Sequence, residues 1–389
     1  MTAPQRYPAF DALRASAMEL GLVLHAAVPY TQGCPSSWAV CDPSRSGLFD
    51  LANTLIHAVR MPAFFLMSGF FAALLWDRVG TRAFLRHRVK RIVVPFVVAC
   101  LVLVPLTRAI WIWGAFARPI DPVVGDFIAS LSAHFHEHGL GVFATVWHLW
   151  FLEYLLIHTA VFVGWQGLFD GRSFPGTARL GSGLTGRARA VWLVVPTAIA
   201  MGFMSGWNVD GVSELAPVPH LLAYYGLFFA AGAVLFSRRA ELDRLAHGWR
   251  AHLLVAVAVV LPGLIALSRV AAGAPAPWVD VAGRVLSAVL TCSLLYGVVG
   301  FFWVRFSDAH PTQRYLSDAA YFVYLTHFPL IAALGICAAS WPLPAALKFA
   351  GVLGVSFPLL LALYHTGVRY RGLGRWLHGP RERPVEGRS

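Results

Sequence analysis

Arg14 and His25 are the first pair in this 389-residue chain whose types and spacing could do chemistry. Both lie in the apolar run F-D-A-L-R-A-S-A-M-E-L-G-L-V-L-H-A-A-V-P-Y, Phe10 to Tyr30. A run of about 20 residues is long enough to cross a bilayer as one helix. Yet this one also carries Asp11 and Glu19. A charge near the middle of a membrane helix costs about 2.5–3.5 kcal/mol, so such residues face a cavity or a partner. Arg14 and His25 are separated by 11 positions. At about 100° per residue that is three turns plus about 20°, so both point to one side, about 16 Å apart along the axis. A guanidinium binds phosphate bidentately, and an imidazole serves as a general base. One helix face therefore offers an anion site and a base at two depths.

Further along, H-A-V-R-M-P-A-F-F-L-M-S-G-F-F places His57 and Arg60 near the start of a second apolar run. If that run is antiparallel to the first, His57, Arg60 and His25 share a depth near one membrane face. Pro62 is expected to kink this segment, and Ser68-Gly69 to admit a close neighbour. The connection after it, F-L-R-H-R-V-K-R-I-V-V-P, puts Arg86, Arg88, Lys90 and Arg91 beside the Arg14 end. These cations suit a phosphorylated ligand, and they equally suit the ordinary basic loop of a membrane protein. In W-H-L-W-F-L-E-Y, Trp147 and Trp150 read as interface-belt residues, and Glu153 must find a donor. In S-D-A-A-Y-F-V-Y-L-T-H-F-P-L, Tyr321, Tyr324 and His327 fall inside an apolar run, where packing and helix–helix hydrogen bonding are the ordinary roles. His134 and His138 could meet across one turn, but no fourth ligand is fixed and no H-E-x-x-H occurs, so no metal is expected. No G-x-S-x-G is found.

Composition sets the class. The chain is 58% hydrophobic and 13% charged, against about 25% charged in soluble domains. The reading is all-α, a polytopic membrane bundle of about ten spans: 9–30, 50–76, 92–113, 147–168, 191–206, 218–236, 251–270, 281–304, 315–339 and 344–366. The fifth is short and is expected to be tilted or broken near Pro196 or Gly202. Arginine and lysine concentrate in alternate connections, 77–91, 169–190, 237–250 and 305–314, and in the tail. The net charge of +12 is thus a topology signal that puts both termini in the cytoplasm, and no nucleic-acid motif accompanies it. Only Arg6 precedes the first run, which lacks a small-residue cleavage site, so no signal peptide is expected. The segment G-R-S-F-P-G-T-A-R-L-G-S-G-L-T-G-R reads as a flexible connection, and it lacks the G-K-[ST] of a phosphate loop. Residues 1–378 form one transmembrane unit and 379–389 a polar tail. Cys100, Cys292 and Cys337 fall in apolar runs and read as inert core residues. Cys34 and Cys41 share one loop, and either pair in an oxidising compartment or stay as two thiols.

These stretches, in this order, resemble the acyltransferase family 3 of integral membrane acyltransferases. The family's first span has a leucine–aspartate–x–leucine–arginine pattern, then histidine after ten residues. Here it reads F-D-A-L-R followed by His25, with Phe10 in place of the usual leucine. F-F-L-M-S-G-F-F, R-x-x-R-I-x-x-P at Arg88, Arg91 and Pro95, H-L-W-F-L from His148, and Y-F-V-Y-L-T-H-F-P-L look like further family signatures. The segment H-x-x-R-M-x-x-F-F at His57 to Phe65 is similar to the glucans biosynthesis protein C branch, which is implicated in succinylating periplasmic glucans. The resemblance implies an O-acyltransferase of the bacterial inner membrane. It would use acyl-CoA as donor substrate with no permanently bound cofactor, and a glycan or other hydroxyl acceptor. The acyl group is left open between acetyl and succinyl. His25 is implied as the catalytic histidine, and beside that implication Arg60 or another donor is expected to stabilise the oxyanion. Arg14, Arg88 and Arg91 are implied in donor binding, and His57, His148, Glu153, Tyr324 and His327 are candidates for acceptor binding or support. The rival class is a transporter or flippase, since ionisable residues inside a membrane also mark permeation paths. No inverted repeat or paired broken helix favours it.

Overall fold

The computed structural model describes residues 6–116, 124–168, 177–186, 189–308 and 310–377. The tail beyond 378 and the basic residues Arg118, Arg172 and Arg187 lie outside the described residues. In chain order the helices are α1 (Pro8–Ala27), α2 (Gly47–Arg88), α3 (Val94–Phe116), α4 (Val124–His138), α5 (Trp150–Leu168), α6 (Thr177–Thr185) and α7 (Arg189–Met201). They continue as α8 (Pro219–Ser237), α9 (Trp249–Leu254), α10 (Leu261–Gly273), α11 (Pro277–Arg305), α12 (Pro311–Ala339), α13 (Ala345–Leu363) and α14 (Gly372–Leu377). Wide π turns at Val89–Val93 and Val255–Val260 join α2 to α3 and α9 to α10 without breaking the rod. In hydrocarbon a backbone must satisfy its own polar groups, and an apolar chain does so as helices.

Each of the ten expected segments is helical, but seven stretches among the described residues are long and apolar enough to cross a membrane. They are Gly47–Ala115, Trp147–Leu168, Pro219–Ser237, Trp249–Gly273, Pro277–Arg305, Pro311–Ala339 and Ala345–Val368. The shortfall from ten has physical causes. The stretch Gly47–Ala115 is one 69-residue run that contains two of the expected spans. α1 is loaded with Asp11, Arg14 and Glu19, and α7 has only 13 residues. α7 stops at Met201, where Arg284 of α11 donates to the carbonyls of Met201 at 2.8 Å and Met204 at 2.5 Å and so closes the helix end.

α1 lies along α12, with which it runs parallel, and against α2 and α11. Phe10, Phe65, Phe70, Tyr154, Tyr224, Tyr225 and Phe228 fill the centre and are fully buried. The outer helices turn Leu101, Val161, Ile199, Val259 and Val355 outward, as lipid contact requires. α2 and α8 meet backbone to backbone. A Cβ on Gly69 would strike the Phe229 carbonyl, and one on Gly232 would strike the Leu66 carbonyl. Gly232→Val should therefore lose folded protein, with the cost of overpacking, about 1–3 kcal/mol or more. Thermal unfolding in lipid checks it, and an unchanged midpoint would refute the close contact.

Several local expectations are corrected. α2 keeps helical dihedrals through Pro62 and departs from them at Gly80, with φ 68 and ψ 175. The Gly/Ser-rich segment holds a helix, α6, because Thr185 donates to Glu241 at 2.8 Å and Leu184 is buried. Trp147 and Trp150 are buried rather than belt residues, packed on Trp111 and on Tyr225. Of the three lone cysteines only Cys292 is buried, and Cys337 is exposed. Cys34 and Cys41 are joined. The bridged loop is fixed at a distance by a buried ion pair, Asp42 with Lys348 of α13 at 2.8 Å. Outside the spans, Asp210 accepts from Ser205 and His220. Burial raises its pKa, and those bonds more than offset this and hold it below the usual carboxylate range.

Candidate active site

The start of α1, the α2–α3 junction, the start of α12 and the end of α13 converge on one cavity of about 820 Å³. Arg14, Arg88 and Arg91 all line it. The helix places them there by spacing: Arg88 and Arg91 are one turn apart and half-buried, whereas Arg86, before them, and Lys90, between them, are exposed. Arg88 lies over the Phe84 ring at 4.8 Å, and its Nε has no partner among the described residues. Arg14 Nη2 donates to Ser317 Oγ of α12 at 2.6 Å and to Asp11 Oδ1 at 3.2 Å. Asp11 and Asp318 also line the cavity, and sequence reasoning missed further basic residues of the lining: Arg6, His310, Arg314 and Arg369. Each reads as one more basic loop residue, and only the fold brings them together. The first residues of α12 also face the cavity, so the positive end of that helix adds to the field. The site can hold a polyanion.

His25 does not line this cavity. It sits deeper on the same face of α1, as its spacing from Arg14 requires. Arg14 meets Ser317 and His25 meets His327, ten positions further along the same helix α12. The His25 and His327 ring centres are 5.3 Å apart, and His148 lies 5.2 Å from His327. Phe328 touches His25 edge-on at 4.9 Å and stacks on His148 at 4.8 Å. Trp38, from the disulfide loop, lies nearly parallel to His25 at 6.0 Å. His57 and Arg60 are within electrostatic reach of His25. The Arg60 guanidinium rests on Gly21, where any side chain would collide with it.

Backbone geometry aims His148. Trp147, just before it, has φ 44, a costly region for a bulky residue. The turn is held because Val146 N at 2.6 Å and Trp147 N at 3.0 Å both donate to Ser213 O. Tyr324 Oη then donates to His148 O at 2.8 Å, locking the turn to α12. A strained residue next to a convergent polar cluster is where function is expected. Phe151 and the stacked Tyr321 and Tyr324 stand between the basic cavity and the histidines. Glu153 is brought near but not in: it is buried, and its Oε2 finds no donor among the described residues. His134 and His138 do stack, at 4.2 Å, but among the described residues no three metal-ligating side chains gather.

A basic pocket and an imidazole on one helix pair fit group transfer. Residues 7–365 match the Acyltransferase domain of acyltransferase family 3. The chain belongs to this family. It is an integral membrane enzyme that transfers acyl groups. Glucans biosynthesis protein C from Salmonella paratyphi B, Salmonella agona and Salmonella choleraesuis is in each case 26% identical over 345 residues. The match covers 84% of this acyltransferase and 83% of each relative. The likeness to that branch, read from His57 to Phe65, is borne out by these relatives. No solved structure matches the chain.

Proposed function

We propose that this acyltransferase moves an acetyl or succinyl group from acyl-CoA to a hydroxyl of a cell-envelope glycan. The observation that carries the reading is the shared frame of α1 and α12, with a polybasic cavity at one level and His25 at the other. Arg14, Arg88 and Arg91 hold the phosphates of the donor through charge-assisted bonds. The cavity reaches Met18, and the pantetheine arm covers the remaining about 10 Å to His25. His25 takes the proton of the acceptor hydroxyl as its oxygen attacks the thioester. The C–O bond forms, the C–S bond breaks, and the proton passes to the departing thiolate. Arg60, whose guanidinium rests on Gly21 one turn before His25, stabilises the oxyanion. The glycan acceptor is supported by the relatives' role in making glucans.

In this reading ten segments cross the bacterial inner membrane. Both termini and the basic cavity face the cytoplasm, where acyl-CoA is made, and the disulfide loop faces the oxidising side. Membranes containing the enzyme should transfer isotopically labelled acyl groups from acyl-CoA to extracted envelope glycan without any ion gradient. Mass spectrometry should find the label as an ester. Unlabelled glycan with intact protein would overturn the reading. Arg14→Lys should raise the donor KM about tenfold or more at little cost to kcat. An ammonium cannot reproduce the planar fork, and a charged hydrogen bond is worth about 1.5–3 kcal/mol. An unchanged KM would remove Arg14 from the donor site.

A further inference from the structure

Four nitrogens around the base are buried with no hydrogen-bond partner among the described residues: His25 Nδ1, His327 Nε2, His148 Nδ1 and Arg60 Nε. Each costs about 1–3 kcal/mol if left unmatched. The bonds the chain does make sort them into donors and acceptors. His327 Nδ1 lies 2.8 Å from Tyr324 O and 3.1 Å from Val323 O. A carbonyl oxygen only accepts, so this nitrogen carries the hydrogen, and Nε2 of the neutral ring is a lone pair. His148 Nε2 lies 3.0 Å from Leu325 O. By the same logic His148 Nδ1 is a lone pair, so His148 and His327 cannot satisfy each other. Arg60 can only donate; its Nη2 already reaches Met61 Sδ at 3.3 Å. His25 alone makes no bond that fixes its tautomer.

We infer that His327 is a positioning residue for the base: the two nitrogens are unbonded as the rings stand, and a turn of the His25 ring lets His327 Nε2 accept from His25 Nδ1–H, which leaves His25 Nε2 as the nitrogen that takes the acceptor's proton. This rests on the reading of His25 as general base. The spacing fits. An N–H···N bond of about 3 Å, with each nitrogen about 1 Å from its ring centre, sets the centres about 5 Å apart. The observed separation is 5.3 Å, so turning the His25 ring about its Cβ–Cγ bond, which barely moves its centre, brings the two unmatched nitrogens within bonding reach. Trp38 and Phe328 bound two other sides of the His25 ring. Among the described residues, the groups that act most strongly on His25 are His327, Arg60, His148 and His57, none of them a carboxylate. The orienting task that an acidic residue performs in a Ser-His-Asp triad therefore falls to a neutral imidazole held by the backbone of its own helix. Through the reaction His327 keeps its Nδ1 hydrogen on the carbonyls and gains none. The mobile proton runs from hydroxyl to His25 Nε2 to sulfur.

The test uses the full chain in lipid bilayers with ¹⁵N-histidine, the His25 signals being those lost in His25→Gln. In the wild type His25 should show a protonated Nδ1 and a bare Nε2. His327→Leu should scramble that tautomer and lower kcat about 10²-fold or more, with the donor KM unchanged. His327→Gln offers an acceptor oxygen near the old Nε2 and should recover at least about tenfold over His327→Leu. A proton on His25 Nε2 in the wild type would overturn the inference. So would wild-type kcat in a normally abundant His327→Leu protein. If that variant does not accumulate, the wild-type spectrum still decides. Full turnover in His25→Gln would instead sink the base reading on which the inference rests.

Discussion

His25→Gln should lose turnover by about 10²–10⁴-fold at saturating donor while keeping the fold and the donor KM. Glutamine retains hydrogen-bonding ability but takes no proton near neutral pH. The substitution is mild for packing, because the ring it replaces meets Trp38 flat and Phe328 by an edge and leaves its Nδ1 unbonded. Arg14→Lys provides the contrast, since it should fail in donor affinity. Both are to be compared in membranes at matched protein level with labelled acyl-CoA. Full activity in His25→Gln would remove it as the base. Equal losses in both variants, with reduced abundance, would mean that the two residues only brace α1.

Breaking the Asp42–Lys348 pair should cost about 3–5 kcal/mol, the usual result of leaving one buried charge alone. The pair is among the most enclosed in the protein, with side chains 1% and 2% exposed. Lys348 also donates to Ala339 O at 3.3 Å, and Asp42 accepts from Ser44 N at 2.8 Å. Asp42→Ala and Lys348→Ala should each lower the unfolding temperature and the yield. They should also lower turnover, because the loop that bears Asp42 carries Trp38 to His25. The double variant Asp42→Leu/Lys348→Met should regain much of the stability, since an apolar pair of similar volume removes the desolvation penalty on both sides. Single variants that unfold with the wild type would show that the ion pair contributes nothing.

What was legible in the sequence was what a helix fixes by itself. The 11-position spacing of Arg14 and His25 put both on one face, and both do meet α12. The spacing of Arg88 and Arg91 separates them from Arg86 and Lys90 once the cavity is seen. What was not legible depends on partners far away in the chain. Arg314 and Arg369 join the cavity only because α12 begins there and the chain leaving α13 returns to it. Lys348 sits in a run that reads as lipid-facing, and its partner is 306 positions away. Trp147 has the composition of a belt residue, and the Ser213 bonds that turn it inward come from another loop. The number of spans is blurred because the charges that mark the site also lower the apolarity of α1.

The disulfide loop and the α1–α12 pairing have a consequence for the order in which the enzyme is made. Everything that touches His25 from one side is synthesised first: α1 itself, Trp38, Arg60. What packs on it from the other side is synthesised last: His327 and Phe328, followed by Lys348, which anchors the loop through Asp42. A growing chain that has already inserted Arg14, Arg88 and His25 still has neither the far wall of the basic cavity nor the anchor of the loop. On the proposed reading, chemistry is thus withheld until nearly the last helix is in place, and a chain that ends before α12 would display the family's first signature without being an enzyme.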